Sequence, residues 1–203
     1  MIVVGAGGHG KVVADAAEQM ACWDLIEFVD LKFPGLSTCG HWSVVAKDLD
    51  QLGNSYQRAD FIVAVGDNTV RMKALSSCLS LGFNLVTITH PGAYVSKHSE
   101  IGLGSVIFAN AAINVDASIG RCCIINTGAT VDHDCYLDDA VHVSPGVNLA
   151  GEVSVGKMSW LGIAACVKQQ ITIGDNVMIG AGAVVVNNIS SNSTVVGVPA
   201  KPL

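Results

Sequence analysis

Two regimes of hydrophobic patterning divide the chain. In the second half an aliphatic residue recurs every six positions: Val95, Ile101, Ile107, Ile113, Ile119, Ile125, Val131, Leu137, Val143, Leu149, Val155, Leu161, Val167, Ile173, Ile179 and Val185. Ile, Val and Leu make up 57 of the 203 residues, so sixteen agreements in a row have a chance of roughly 0.28 to the sixteenth power. A period of six fits neither a helix at 3.6 nor a strand at two. It fits a prism of short strands, each face giving one inward aliphatic residue before a turn. Three faces make a coil of about 18 residues, and stacked coils pair their backbones in parallel at about 4.8 Å. Glycine often follows the inward residue, at Gly102, Gly120, Gly156, Gly162 and Gly180, where a turn with unusual dihedrals is expected. The frame is unbroken from 95 to 185, so no long loop is expected to leave the coil. A bare prism has shallow sides, so a ligand cleft requires a neighbouring subunit, the N-terminal domain, or both.

Residues 1–88 carry a different pattern, and the domains are expected to be 1–88 and 89–203. The stretch "MIVVGAGGHGKVVADAAEQM" is an apolar strand, a Gly-rich turn and a helical pattern. Leu25 to Asp30 and Ala59 to Gly66 are predicted strands. "DNTVRMKALSSCLSLG" is a predicted helix, with Asp67 or Asn68 as cap and Gly82 just past its end. This βαβαβ order suggests a small parallel, Rossmann-like sheet. Gly5, Gly7 and Gly10 spell GxGxxG, and Asp30 ends the next strand. The domain is short for a full dinucleotide site, and His9 is unusual inside an NAD loop. The physics holds for any phosphate: glycines let it approach the backbone, and the helix N-terminus carries partial positive charge. A nucleotide or nucleotide-sugar ligand is the reading preferred over NAD and over a merely structural turn.

Composition narrows the function class. Aromatic residues are 5% of the chain and charged residues 14%, with 22 glycines, a profile of many small turns. The net charge of −6 argues against a nucleic-acid or anionic-membrane partner. Seven cysteines include no CxxC pair and mostly sit in apolar runs, as reduced, buried residues of a cytoplasmic protein do. Met1 runs directly into a strand-like segment without a basic leader, so no signal peptide is expected. No stretch has the composition of a membrane helix.

The candidate chemistry lies in "NTGATVDHDCYLDDAVHVSPG". It contains His133, flanked by Asp132 and Asp134, and His142. A histidine is suited to deprotonate an attacking amine or hydroxyl near neutral pH. A carboxylate on its other nitrogen fixes the tautomer, and either Asp132 or Asp134 is placed for that. Adjacent side chains on a regular strand point to opposite faces, so Asp134 reaches His133 only if the turn bends there. An 18-residue coil stacks Gly151 on His133, leaving space for a thioester. His142 is half a coil away and does not stack on His133. A zinc site needs a third ligand, and His9, His41, His90 and His98 lack metal spacing, so no metal is expected. The alternative of a different class is a non-catalytic β-helix scaffold with a nucleotide-binding domain.

"GAGGHGKVV", the hexapeptide repeats, "NTGATVDHDC", "HVSPG" and "VVGVPAKPL" together resemble the family of sialic acid O-acetyltransferases and UDP-4-amino-sugar N-acetyltransferases. The resemblance covers essentially the whole chain. It implies a Rossmann-like domain, then a left-handed parallel β-helix, assembled as a homotrimer with acetyl-CoA along the groove between adjacent β-helices. The implied reaction is acetyl transfer from acetyl-CoA to the amino group of a nucleotide-linked amino sugar, such as a UDP-4-amino-4,6-dideoxy sugar; O-acetylation of sialic acid is the nearest alternative. Carried over by position, His133 is the general base and Asp134 tunes it. His142, Ile163 and Ala181 fall at acetyl-CoA contacts. Gly7, Gly8, His9, Asp30 and Gly66 fall at acceptor contacts. Some relatives have a second acidic residue after the position of Asp30, where this chain has Leu31. Lys168 and Lys201 are candidate partners for the CoA phosphates.

Overall fold

A computed structural model describes residues 1–52 and 56–203. They form two compact units, Met1–Pro91 and Gly92–Leu203.

The first unit is a sheet with two helices. Strand β1 (Ile2–Val4) is central, and its Val3 is fully buried. It is followed by α1 (Gly8–Met20), β2 (Glu27–Val29), β3 (Thr38–Cys39), β4 (Trp42–Ala46), β5 (Asp60–Val63), α2 (Asn68–Ser80) and β6 (Asn84–Leu85). The sheet order is β3-β4-β2-β1-β5-β6. All neighbours are parallel except the β3-β4 hairpin. The βαβαβ expectation therefore holds, with a hairpin added at one edge. Helix α1 buries Gly10, Val13, Ala14, Ala16 and Ala17, a small-residue face that packs closely. Asp67 caps α2 by accepting from the Val70 N–H at 2.8 Å.

The second unit is the left-handed parallel β-helix. Sixteen two-residue strands run from Tyr94–Val95 to Val184–Val185 without interruption. Each of the first thirteen pairs in parallel with the strand 18 residues on, as in Ile124↔His142 and His142↔Trp160. After Val185 the frame changes: Thr194–Val196 pairs with Met178–Ile179 in parallel, and Lys201–Pro202 folds back on it antiparallel. The inward residues from Ile107 to Val185 are all buried, each worth roughly 1.5–3 kcal/mol relative to exposure. A second inner column precedes them by two positions, including Ala117, Cys123, Ala129, Cys135 and Ala165. It mixes small side chains with Val141, Val147, Val153, Ile171 and Val177, and both columns fill the narrow core between three faces. Two positions of that column are serines. Ser105 Oγ donates to Gly120 O and accepts from Cys123 N. Ser159 Oγ donates to Gly174 O and accepts from Val177 N.

The glycines play a different part from the one expected. A Cβ on Gly120 would lie 2.6 Å from the Asp138 carbonyl carbon, and one on Gly162 would lie 2.6 Å from Ile179 O. These glycines admit the next coil. The left-handed conformation falls three positions after the inward residue, mostly on residues with side chains: Asp116 (φ 60°), Cys122 (56°), Asp134 (57°), Ala140 (57°), Glu152 (62°) and Met158 (57°). Each corner is locked by backbone hydrogen bonds to the coil before it, such as Glu152 N to His133 O at 3.0 Å and Gly182 N to Ile163 O at 2.8 Å.

Candidate active site

His133 stands at a corner of the β-helix, two residues past the inward Val131, with about half its side chain exposed. Asp134, next in the chain, has φ 57°. The left-handed turn redirects its side chain beside the imidazole, and Asp134 Oδ2 lies 2.8 Å from His133 Nδ1. The bend required for this pairing is therefore present. Asp132 is engaged elsewhere: its Oδ1 accepts from the His133 backbone N–H and from Asn114 Nδ2, each at 2.8 Å. The hydrogen bond from Asp134, ahead of all other influences, raises the His133 pKa above its ordinary value. With Nδ1–H donated to a carboxylate, the neutral ring presents Nε2 as proton acceptor. The ring lies against Gly151 of the next coil, where a Cβ would be 2.5 Å from both Nε2 and Cε1. The missing side chain at Gly151 thus makes room for the imidazole itself.

His142, Ile163 and Ala181 lie along a different corner region. His142 is on the strand His142–Val143, buried, with its ring 4.2 Å from that of Trp160. The Trp160 indole N–H donates to Ser144 Oγ at 2.9 Å. Ile163 and Ala181 are one coil apart and exposed. Within one chain these three are therefore grouped away from His133, Asp134 and Gly151. Lys168 and Lys201 are both exposed. Among the described residues no group of three or more His, Cys, Asp or Glu is placed to hold a metal ion.

In the first unit the Gly-rich loop joins β1 to α1. Gly5 (φ 112°) could not carry a Cβ without coming 2.9 Å from Ala64 O, and a Cβ on Gly10 would lie 2.2 Å from Gly5 O. These two glycines build the turn. A Cβ on Gly7 or Gly8 would meet open space, Gly7 caps α1 without a side-chain bond, and a helix N-terminus favours an anion. Asp30 supports the loop, its Oδ2 accepting from Ala6 N at 2.8 Å and its Oδ1 from Lys32 N at 3.0 Å. Across β1, the loop after β5 is anchored by Arg71, which donates to Val65 O, Gly66 O and Asn68 Oδ1. Burial first, and Arg71 second, lower the His9 pKa to about 4, so His9 is neutral at pH 7. The chain leaves β1 toward β2 on one side and returns through β5 on the other, and an open α/β sheet binds ligands at such a switch point. A crevice of about 680 Å³ opens there, lined by Gly5, Asp30, Leu31, Lys32 and Lys47 among others. Arg71 escaped the sequence reading because a helix arginine normally faces solvent. Its place on the stripe Asn68, Arg71, Leu75 and Cys78 was the available signal.

No helix among the described residues is long and apolar enough to cross a membrane.

Residues 1–78 match the family model described as the PglD N-terminal domain. The chain is 33% identical over 185 residues to GDP-perosamine N-acetyltransferase of Escherichia coli O157:H7, spanning 89% of this chain and 82% of the relative. Among solved structures, the acetyltransferase domain of PglB from Neisseria gonorrhoeae FA1090 in complex with acetyl coenzyme A superposes with a TM-score of 0.94. It is 42% identical, over 100% of this chain and 98% of that one. PerB from Caulobacter crescentus in complex with CoA and GDP-perosamine gives a TM-score of 0.93 at 38% identity, over 100% of this chain and 96% of that one. With the same two units, the same repeat and identity at this level along its length, the chain belongs to the hexapeptide-repeat amino-sugar acyltransferase family.

Proposed function

We propose that the protein transfers the acetyl group of acetyl-CoA to the amino group of a nucleotide-linked amino sugar. The observation that carries this reading is the His133–Asp134 pair, with Asp134 on Nδ1 and the half-exposed ring held at a corner against Gly151. His133 Nε2 accepts the proton of the attacking amine as nitrogen bonds to the thioester carbonyl carbon. The C–S bond then breaks, and the proton passes to the departing CoA thiolate. Asp134 holds the tautomer and stabilises the imidazolium in between. Acetyl-CoA is held by His142, Ile163 and Ala181, and the acceptor by Gly7, Gly8, His9, Asp30 and Gly66. Relatives solved with acetyl-CoA and with GDP-perosamine support this assignment of ligands.

The working form is a homotrimer. His133 with Gly151, and Ile163 with Ala181, lie on different corners of one prism. A groove between two adjacent prisms joins one chain's base to its neighbour's acetyl-CoA contacts. The reaction takes place in the cytoplasm, in keeping with the free state of the described cysteines.

The deciding experiment measures CoA release with UDP-, GDP- and dTDP-linked amino sugars and with free sialic acid. Release with an amino-sugar nucleotide supports the proposal. Release with sialic acid alone would replace it by O-acetylation, and none with any acceptor would favour a scaffold. Sedimentation is expected to give the mass of three chains; a monomer with full activity would rule out the shared groove.

A further inference from the structure

We infer that Asp132 and Asn114 form a brace that positions His133 for proton transfer. The inference rests on the function proposed above. A half-exposed histidine at a corner gains little restraint from packing, so its aim depends on the backbone beneath it. One carboxylate oxygen, Asp132 Oδ1, accepts both from the His133 main-chain N–H and from Asn114 Nδ2, each at 2.8 Å. Asn114 stands in the coil before, and the two coils are joined there by Asn114 N to Val131 O at 2.9 Å. The peptide that carries the imidazole is therefore tied to its neighbouring coil through two side chains. The two acids divide the work: Asp134 holds the ring and Asp132 holds the main chain. Asn114 suits this place because its amide donates, whereas an acid there would repel Asp132. The hydrogen bond from Asn114, then that from His133 N, keeps the Asp132 carboxyl below its ordinary pKa. Three carboxylates, Asp132, Asp134 and Glu152, face the imidazole.

The test combines steady-state kinetics with NMR titration of His133. Asp132→Asn keeps an oxygen that accepts both bonds. It is expected to retain kcat within about threefold while the His133 pKa falls, because a negative charge is lost. Asp132→Ala and Asn114→Ala are expected to lower kcat about tenfold, with the acetyl-CoA KM unchanged within about twofold, the pattern of a misplaced base. Asn114→Asp sets two carboxylates together and should be worse. Adding Asp132→Asn removes the repulsion between the two carboxylates and should recover part of the loss, not all of it, because the one oxygen that accepts both bonds cannot also donate. Wild-type kcat in both alanine variants would overturn the brace. NMR decides the question even for a chain that acetylates none of the acceptors. The His133 amide proton must move upfield in Asp132→Ala, and an unmoved amide together with an unmoved imidazole titration would refute the proposal.

Discussion

Gly151 stands against the imidazole of His133: a carbon on its Cα would lie 2.5 Å from Nε2 and 2.5 Å from Cε1. Contact at that distance is repulsive, and the exposed imidazole is the part able to swing away. Gly151→Ala is therefore expected to fold normally and to lose activity. Turnover should fall by about 10- to 100-fold, the cost of misplacing a base by about 1 Å, while the melting temperature shifts by only a few degrees. Full turnover in this variant would show that the seat of the ring against Gly151 does not matter for activity.

His133→Ala should lower kcat by roughly 10²–10⁴-fold, the usual share of acid–base catalysis, and leave acetyl-CoA binding intact by calorimetry. Asp134→Asn should cost less, because the base remains. The pH dependence separates their roles. Asp134 raises the His133 pKa, and in the proposed reaction the unprotonated ring is the active form. Removing the charge should therefore shift the acidic limb of kcat/KM to lower pH. An unmoved limb would mean that the pair does not titrate as drawn.

Gly8 and Gly10 are two residues apart but differ in what surrounds them. Gly8 faces open space, whereas a Cβ on Gly10 would lie 2.2 Å from Gly5 O and 2.9 Å from Phe28 Cε1. Gly8→Val should keep the fold and the acetyl-CoA KM while raising the acceptor KM. Gly10→Ala should lower the melting temperature markedly. Equal loss of affinity for both substrates in Gly8→Val would count against separate sites.

His9 gives the first unit a sensitivity to acid. Its pKa falls from an ordinary 6.5 to about 4 on folding, so between those values the unfolded chain binds the extra proton. Stability from this source is intact above pH 6.5 and is lost as pH drops toward 4. His9→Gln should flatten the decline in melting temperature over that window; a parallel decline would place the cause in other groups.

The six-residue column made the coil, its length and its unbroken frame readable, because one inward residue per face is a strong periodic signal. The companion column two positions earlier was not readable: it mixes Ala117, Cys123 and Ser159 with Val141 and Ile171, with no single residue type to follow. The β3-β4 hairpin was missed because two-residue strands such as Thr38–Cys39 show no alternation. His133 could be singled out, but the choice between Asp132 and Asp134 rests on one left-handed φ, which adjacent identical side chains do not reveal. The glycine after several of the inward residues was visible, yet its reason, the approach of the next coil, depends on three-dimensional stacking.

The fixed 18-residue step also governs which changes of length the β-helix accepts. Inserting six residues before His133 would move it and everything after it to the next face, and Gly151 would travel with it while Asn114 stayed behind. The base would then meet foreign neighbours although every hexapeptide remained intact. Inserting 18 residues there would restore the face but place a new coil between Asn114 and Asp132, which now bond across adjacent coils. Whole coils added beyond the last sheet contacts of Gly151 would leave the corner as it is. Lengthening of this domain is thus quantised, and the site is portable only as a block of consecutive coils.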